Sequence, residues 1–255
     1  MAKRRDYQPI YDNTYQRQRR HFWWVVGLFL ICVIVGGLGW WQWQWQAYQR
    51  RQLSNYPIQG VMINQDSGYL DFQQLANREK FVYLQATSGA TYTDDAYGDN
   101  FSRSHGADIA VGVVHTFSFT SSAEQQYRHF RATVKEDSGT LPIMVAVAYY
   151  GKYNNDNHQM AMQGQKLKML VQKLTQHYSQ GVIILATHQV LDQFVHPVLP
   201  ALHYWVADGR LTGQGAQVKF IEYDANGTMT QNAQSHAVER AVFNGDRRTW
   251  QNFIH

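Results

Sequence analysis

Cysteine is almost missing from this 255-residue chain: the single thiol, Cys32, lies inside its longest apolar run. Everything after that run therefore has neither disulfide nor thiolate, which excludes cysteine nucleophiles and thiolate metal sites and leaves a conventional hydrophobic core as the source of stability. Charged residues are also sparse, at 16%. The net charge of +4 owes much to the N-terminal flank, where Lys3, Arg4, Arg5, Arg17, Arg19 and Arg20 face only Asp6 and Asp12, so it is not read as a nucleic-acid signal. No Gly-x-Gly-x-x-Gly or Gly-x-x-x-x-Gly-Lys-[Ser/Thr] follows an expected strand, so a phosphate cradle is lacking. The histidines show no metal-binding spacing, and Ser88 and Ser118 sit in no Gly-x-Ser-x-Gly elbow, so neither a metal, a cofactor nor a serine nucleophile is expected.

What is present begins with Phe22 to Trp41, a stretch without a charge. At about 1.5 Å per residue, about twenty helical residues cross about 30 Å of hydrocarbon. Trp23 and Trp24 at one end, and Trp40, Trp41, Trp43 and Trp45 at the other, fit interfacial aromatic belts. The run is too long for a signal peptide and lacks a small-residue exit. The expectation is an uncleaved single-pass helix over 22–41, with a basic tail (1–21) kept cytoplasmic by the positive-inside rule. A polar stalk (42–57) and an extracellular domain (58–255) then follow.

The remaining residues alternate strand and helix patterns. Strands are expected at Gln59–Asn64, Phe81–Gln85, Ile109–Val114, Val182–Ala186, His203–Ala207 and from Val218 to Tyr223, the last leading to an Asn226-Gly227 hairpin turn. Helices are expected over Asp71–Asn77, Asp95–Ser104, from a Ser121-x-x-Glu124 capping box to about Lys135, through Leu167 to Tyr178, and near Thr249–Phe253. The run Leu141 to Gly151 reads as a buried strand with Met144, Ala146, Ala148 and Tyr150 on one face and Ile143, Val145, Val147 and Tyr149 on the other. Such repeated units predict a parallel sheet, and a β/α barrel is favoured over an open doubly wound sheet, with function at the C-terminal ends of its strands.

Several segments, in order, carry a resemblance. Gly60-Val61-Met62-Ile63-Asn64, Gly68-Tyr69-Leu70-Asp71-Phe72 and Phe81 to Gly89 are followed by Thr91-Tyr92-Thr93-Asp94 and Gly112 to Phe117. Leu141-Pro142, Trp205-Val206-Ala207-Asp208 and Val242-Phe243-Asn244-Gly245 complete the set. Together they resemble glycoside hydrolase family 25, the lysozymes that cut peptidoglycan. The resemblance implies a flattened, TIM-like β/α barrel. It also implies acids at the end of the first strand, in an Asp-x-Glu after Leu-Pro, and in a Val-Asp before the final Phe-Asn-Gly.

At these positions the chain has Met62, Ala146, Ala148 and Glu239. Glycosidic cleavage needs one carboxyl to protonate the leaving oxygen and another to attack or to activate water, and neither methionine nor alanine transfers a proton. With the apolar run before it, the resemblance thus points to a membrane-anchored protein whose family 25-like domain is catalytically defective. It would bind peptidoglycan strands or scaffold a cell-wall or surface protein assembly. An active N-acetylmuramidase using relocated acids (Asp66, Asp208, Glu222 or Glu239) is the alternative, and a protein-interaction module without glycan affinity is a third. The expected groove residues are Asp66, His115, Tyr149, Trp205, Asp208 and Glu239.

Overall fold

The structure, a computed structural model, describes residues 14–154 and 160–254, with backbone alone for 14–22 and 45–50. The basic tail falls mostly outside these residues. The chain divides into two units, Met1–Gln52 and Leu53–His255.

The described residues of the first unit lie in one helix, α1 (Thr14–Leu53). Its stretch Trp23–Gln44 has a mean hydropathy of 2.1 and no buried residues, and is long and apolar enough to cross a membrane. The polar, tryptophan-containing segment after residue 41 continues as helix to Leu53.

The second unit is a closed barrel. Its strands are β1 (Gln59–Ile63), β2 (Phe81–Ser88), β4 (Ala110–Thr116), β5 (Ile143–Ala146), β6 (Val182–Ala186), β7 (His203–Val206), β8 (Val218–Gln231) and β9 (Gln234–Phe243), with a short β3 (Tyr92–Thr93) hairpinned onto β2. The order is β1-β9-β8-β7-β6-β5-β4-β2, and a parallel β1–β2 pairing closes the ring. β9 alone runs antiparallel to both barrel neighbours, β1 and β8. The helices are α2 (Phe72–Ala76), α3 (Tyr97–Ser104), α4 (Ala123–Val134), α5 (Met160–His177), α6 (His188–Val190) and α7 (Arg247–Ile254).

The period of two sorts the strand side chains into two cores. Inward-facing Met62, Phe81, Tyr83, Val114, Met144, Leu185, Trp205, Phe220 and Phe243 fill the barrel, closed by Trp250 of α7. The outward-facing set, with Val61, Val82, Val113, Val145 and Ile184, packs against α4, α5 and the other covering helices. Interior rings crowd so closely that Gly60 has no room for a side chain: a Cβ there would overlap the Phe81 ring.

Three local expectations are corrected. The N-cap of α4 is Ser122, whose hydroxyl accepts from the Gln125 backbone N–H in a capping box with Gln125, one residue past the expected box. β5 ends at Ala146, so Ala148 lies beyond the strand and is exposed. The β8–β9 turn falls at Asn232 and Ala233, both at positive φ (50° and 62°), while Asn226 and Gly227 sit within β8 where its register with β9 shifts.

Candidate active site

The mouth at the C-terminal ends of the parallel strands is shaped first by the turn after β1. Asn64 Oδ1 accepts from the Asp66 backbone N–H (2.8 Å), and Ser67 Oγ accepts from the Asn64 N–H (3.2 Å). The buried Asp94 carboxylate receives the Gln65 N–H at 2.9 Å, fixing this turn to the loop after β3. From the other side, His236 of β9 donates through Nδ1 to the Ser67 carbonyl (2.9 Å). Between this turn and the β8–β9 hairpin lies a groove of about 270 Å³, with Met62, Asp66, Thr228 and Glu239 in its walls. The structure therefore brings Met62, Asp66 and Glu239 together.

Glu239 stands on β9 directly across from Met62 in the β1–β9 register. On β8, Glu222 pairs with Ala241, which makes Glu239 its diagonal neighbour, a spacing that long side chains bridge. Glu222 is 6% exposed, and its Oε2 accepts from the Trp205 indole N–H at 3.3 Å. Burial raises both carboxyls to about 7; for Glu222 the Glu239 charge adds to that rise, and the indole bond opposes it. Two neighbouring carboxyls of this kind hold at least part of a proton at neutral pH. Glu222 lies two residues from Phe220 on β8 and shares its inward face, which is what buries it in the barrel.

Asp208, just past β7, sits at the same end and is half-exposed, but it is engaged: its Oδ1 accepts from both the backbone N–H and Nδ1 of His188 (2.8 Å each). Ala146 faces the barrel interior at the end of β5, leaving a methyl group there.

Three expected groove residues lie elsewhere. His115 is outside the barrel wall and fully buried under α4, because Val114 and Thr116 take the inward positions of β4. Its Nδ1 accepts from Thr87 Oγ1 (2.8 Å), its Nε2 donates to Gln126 Oε1 (3.2 Å), and burial lowers its pKa to about 4. Trp205 is 0% exposed and stacks on Phe220 with centroids 5.1 Å apart, so it offers no face to a ligand and instead holds Glu222. Tyr149 packs into the outer core beside Phe194 (6.3 Å).

The model of glycosyl hydrolases family 25 matches residues 61–238, from the first barrel strand to the wall of this groove. The chain belongs to that family. Among solved structures, a family 25 glycosyl hydrolase from Bacillus anthracis superposes with a TM-score of 0.69 at 25% identity, covering 79% of this chain and 95% of that one. A bacterial lysozyme from Streptomyces coelicolor gives 0.64 at 18% identity over 77% and 96%. The modular autolysin LytC of Streptococcus pneumoniae, solved with a synthetic peptidoglycan ligand, gives 0.58 at 14% identity over 73% and 46%. No curated protein matches the sequence. The family 25 domain is a peptidoglycan-acting, lysozyme-like barrel, and the fold expected from its motifs is the fold observed.

Proposed function

We propose that this family 25 domain binds peptidoglycan glycan strands, or scaffolds an assembly upon them, and cleaves them inefficiently or not at all. The observation that carries this reading is the make-up of the mouth. Of the four positions where the resemblance implies acids, Met62 and Ala146 line the inner wall, Ala148 follows β5, and only Glu239 retains a carboxyl. Each general acid or base contributes roughly 10² to 10⁴ in rate, so losing several leaves little turnover. In this reading α1 anchors the protein through residues 22–41, with residues 1–21 cytoplasmic, 42–57 as spacer and 58–255 outside. The apolar span and the basic flank support that topology.

The test is incubation of the full chain, in detergent, with purified peptidoglycan. Sedimentation with the insoluble wall and no new reducing ends are expected. Vigorous release of reducing ends that Glu239→Gln abolishes would overturn the defective reading.

A second reading, an N-acetylmuramidase with relocated acids, is favoured by the Glu222–Glu239 pair. Here a protonated carboxyl would donate to the leaving oxygen while its neighbour activates water or attacks. Loss of reducing-end release in both Glu222→Gln and Glu239→Gln would identify this case.

A further inference from the structure

The floor of the barrel, the end opposite the mouth, has a basic quarter that glycosidic chemistry does not use. Lys80 stands immediately before β2, Lys219 near the start of β8, and Arg247 and Arg248 in the first turn of α7. Backbone bonds knit these segments together. The Lys80 N–H donates to the Gln59 carbonyl of β1, the Asn244 N–H donates to the Lys219 carbonyl (2.7 Å each), and the end of β9 pairs with the start of β1. Lys80, Arg247 and Arg248 are exposed, and Lys219 is half-buried. On α7, Trp250, Phe253 and Ile254 turn inward to close the barrel, so Arg247, Arg248, Gln251 and Asn252, at i and i+4 spacing, make up its outer face.

The acids of this quarter are already engaged. Glu79 is 5% exposed and pairs with Arg240. Asp246 accepts from the Thr249 backbone N–H at 2.8 Å and from its hydroxyl. Among the described residues, none of the four cations belongs to an ion pair. The other acids of the floor, Asp108, Glu136 and Asp137, lie across the barrel, before β4 and β5. The mouth has the opposite sign: Asp66, Asp95, Asp208 and Glu239 gather there against Lys152 and Arg210.

The chain also enters the domain at the basic quarter. Leu53 precedes β1 by a short turn, and the Gln59 side-chain amide reaches the Leu53 carbonyl at 3.5 Å. Ahead of Leu53 the sequence carries Arg50 and Arg51 and, over Trp23–Gln44, the apolar span. A bilayer holding that span is thereby the charged surface presented to the floor at the highest effective concentration.

We propose that the face formed by Lys80, Lys219, Arg247 and Arg248 docks on the anionic phosphates of phospholipid headgroups, which turns the carboxylate-bearing mouth away from the lipid. The inference rests on the anchoring reading of α1 and adds a second, electrostatic contact made by the barrel itself. Such a contact acts within a Debye length, about 10 Å at 0.1 M salt.

For the test, the full chain is placed in lipid nanodiscs in a Cys32→Ser background, with a fluorophore attached through Gln251→Cys on the floor or Thr91→Cys at the mouth, and a quencher on the lipid headgroups. Discs of phosphatidylcholine alone are compared with discs enriched in phosphatidylglycerol. The floor label is expected to be quenched in the anionic discs and released by high salt, and the mouth label to stay bright in both. Each cation should contribute about fivefold to the ratio of docked to undocked protein, so Lys80→Gln/Lys219→Gln/Arg247→Gln/Arg248→Gln should fall to the phosphatidylcholine level. If that variant lowers the thermal transition, Arg247→Gln/Arg248→Gln serves alone, with a loss of roughly 25-fold. Equal quenching in the two lipids, or a folded variant quenched like wild type, overturns the docking face and leaves the anchor standing. A chain that does not enter the discs overturns the anchoring reading, and the inference with it.

Discussion

At the level of single residues, parity decides whether a side chain serves the mouth or the core. His115 is flanked by residues that point inward, so it points out, against Phe130 with ring centroids 5.8 Å apart. Replacing it with alanine removes two buried hydrogen-bond partners and a ring, and is expected to cost roughly 2–4 kcal/mol by urea midpoint. Wall sedimentation of the folded protein should not change. Its pKa is depressed in the fold, so the unfolded chain binds the extra proton as pH falls from about 6.5 towards 4, and its contribution to stability is lost over that window. Glu222 and Glu239 behave oppositely. Raised from 4.5 to about 7, they favour the fold at low pH and withdraw that support as pH climbs through this interval. Glu222→Gln keeps an acceptor for Trp205 and should stabilise the protein at pH 8 by on the order of 1 kcal/mol, with little effect near pH 4.5; melting curves across pH check this. The alternating pattern of Phe220 and Glu222 was readable in the sequence. The burial of Trp205 was not, because a barrel interior is recognisable only once the ring of strands closes.

At the level of elements, uniformly apolar strands were legible and their ends were not. Val182–Ala186 was placed to the residue because every position is buried. The run continuing past Ala146 stays apolar, yet its pairing with β4 and β6 stops there. Composition reports burial, and pairing needs a partner. The hairpin was misplaced for a similar reason: Asn226-Gly227 carries the stronger turn signal, but β9 is long enough to pair beyond it, moving the reversal to Asn232-Ala233. Ala233 thus occupies a left-handed conformation that suits glycine, and Ala233→Gly is expected to raise stability by about 0.5–1 kcal/mol in chemical denaturation. At the ends of β1 and β5 and just beyond the latter, Met62→Asp with Ala146→Asp and Ala148→Glu should restore measurable reducing-end release, on the order of 10²-fold or more above wild type if the mouth keeps its shape. A folded but inert triple variant would mean that the groove has diverged beyond its acids.

For the molecule as a whole, β9 has the position with the widest consequence. It is the penultimate element of the chain, yet it fills the gap between β1, the first strand, and β8. The register joins Gln59 to Val242, so the two edges of the barrel meet only after nearly the entire domain has been synthesised. Until then β1 presents one unpaired edge, and Met62 and Phe81 lack the cover that Phe243 and Trp250 provide. Closing so long a loop is slow relative to local helix formation. Folding is therefore expected to be post-translational, with a nascent chain truncated before β9 remaining open to protease, and a domain swap through the β8–β9 hairpin its natural mode of misassembly.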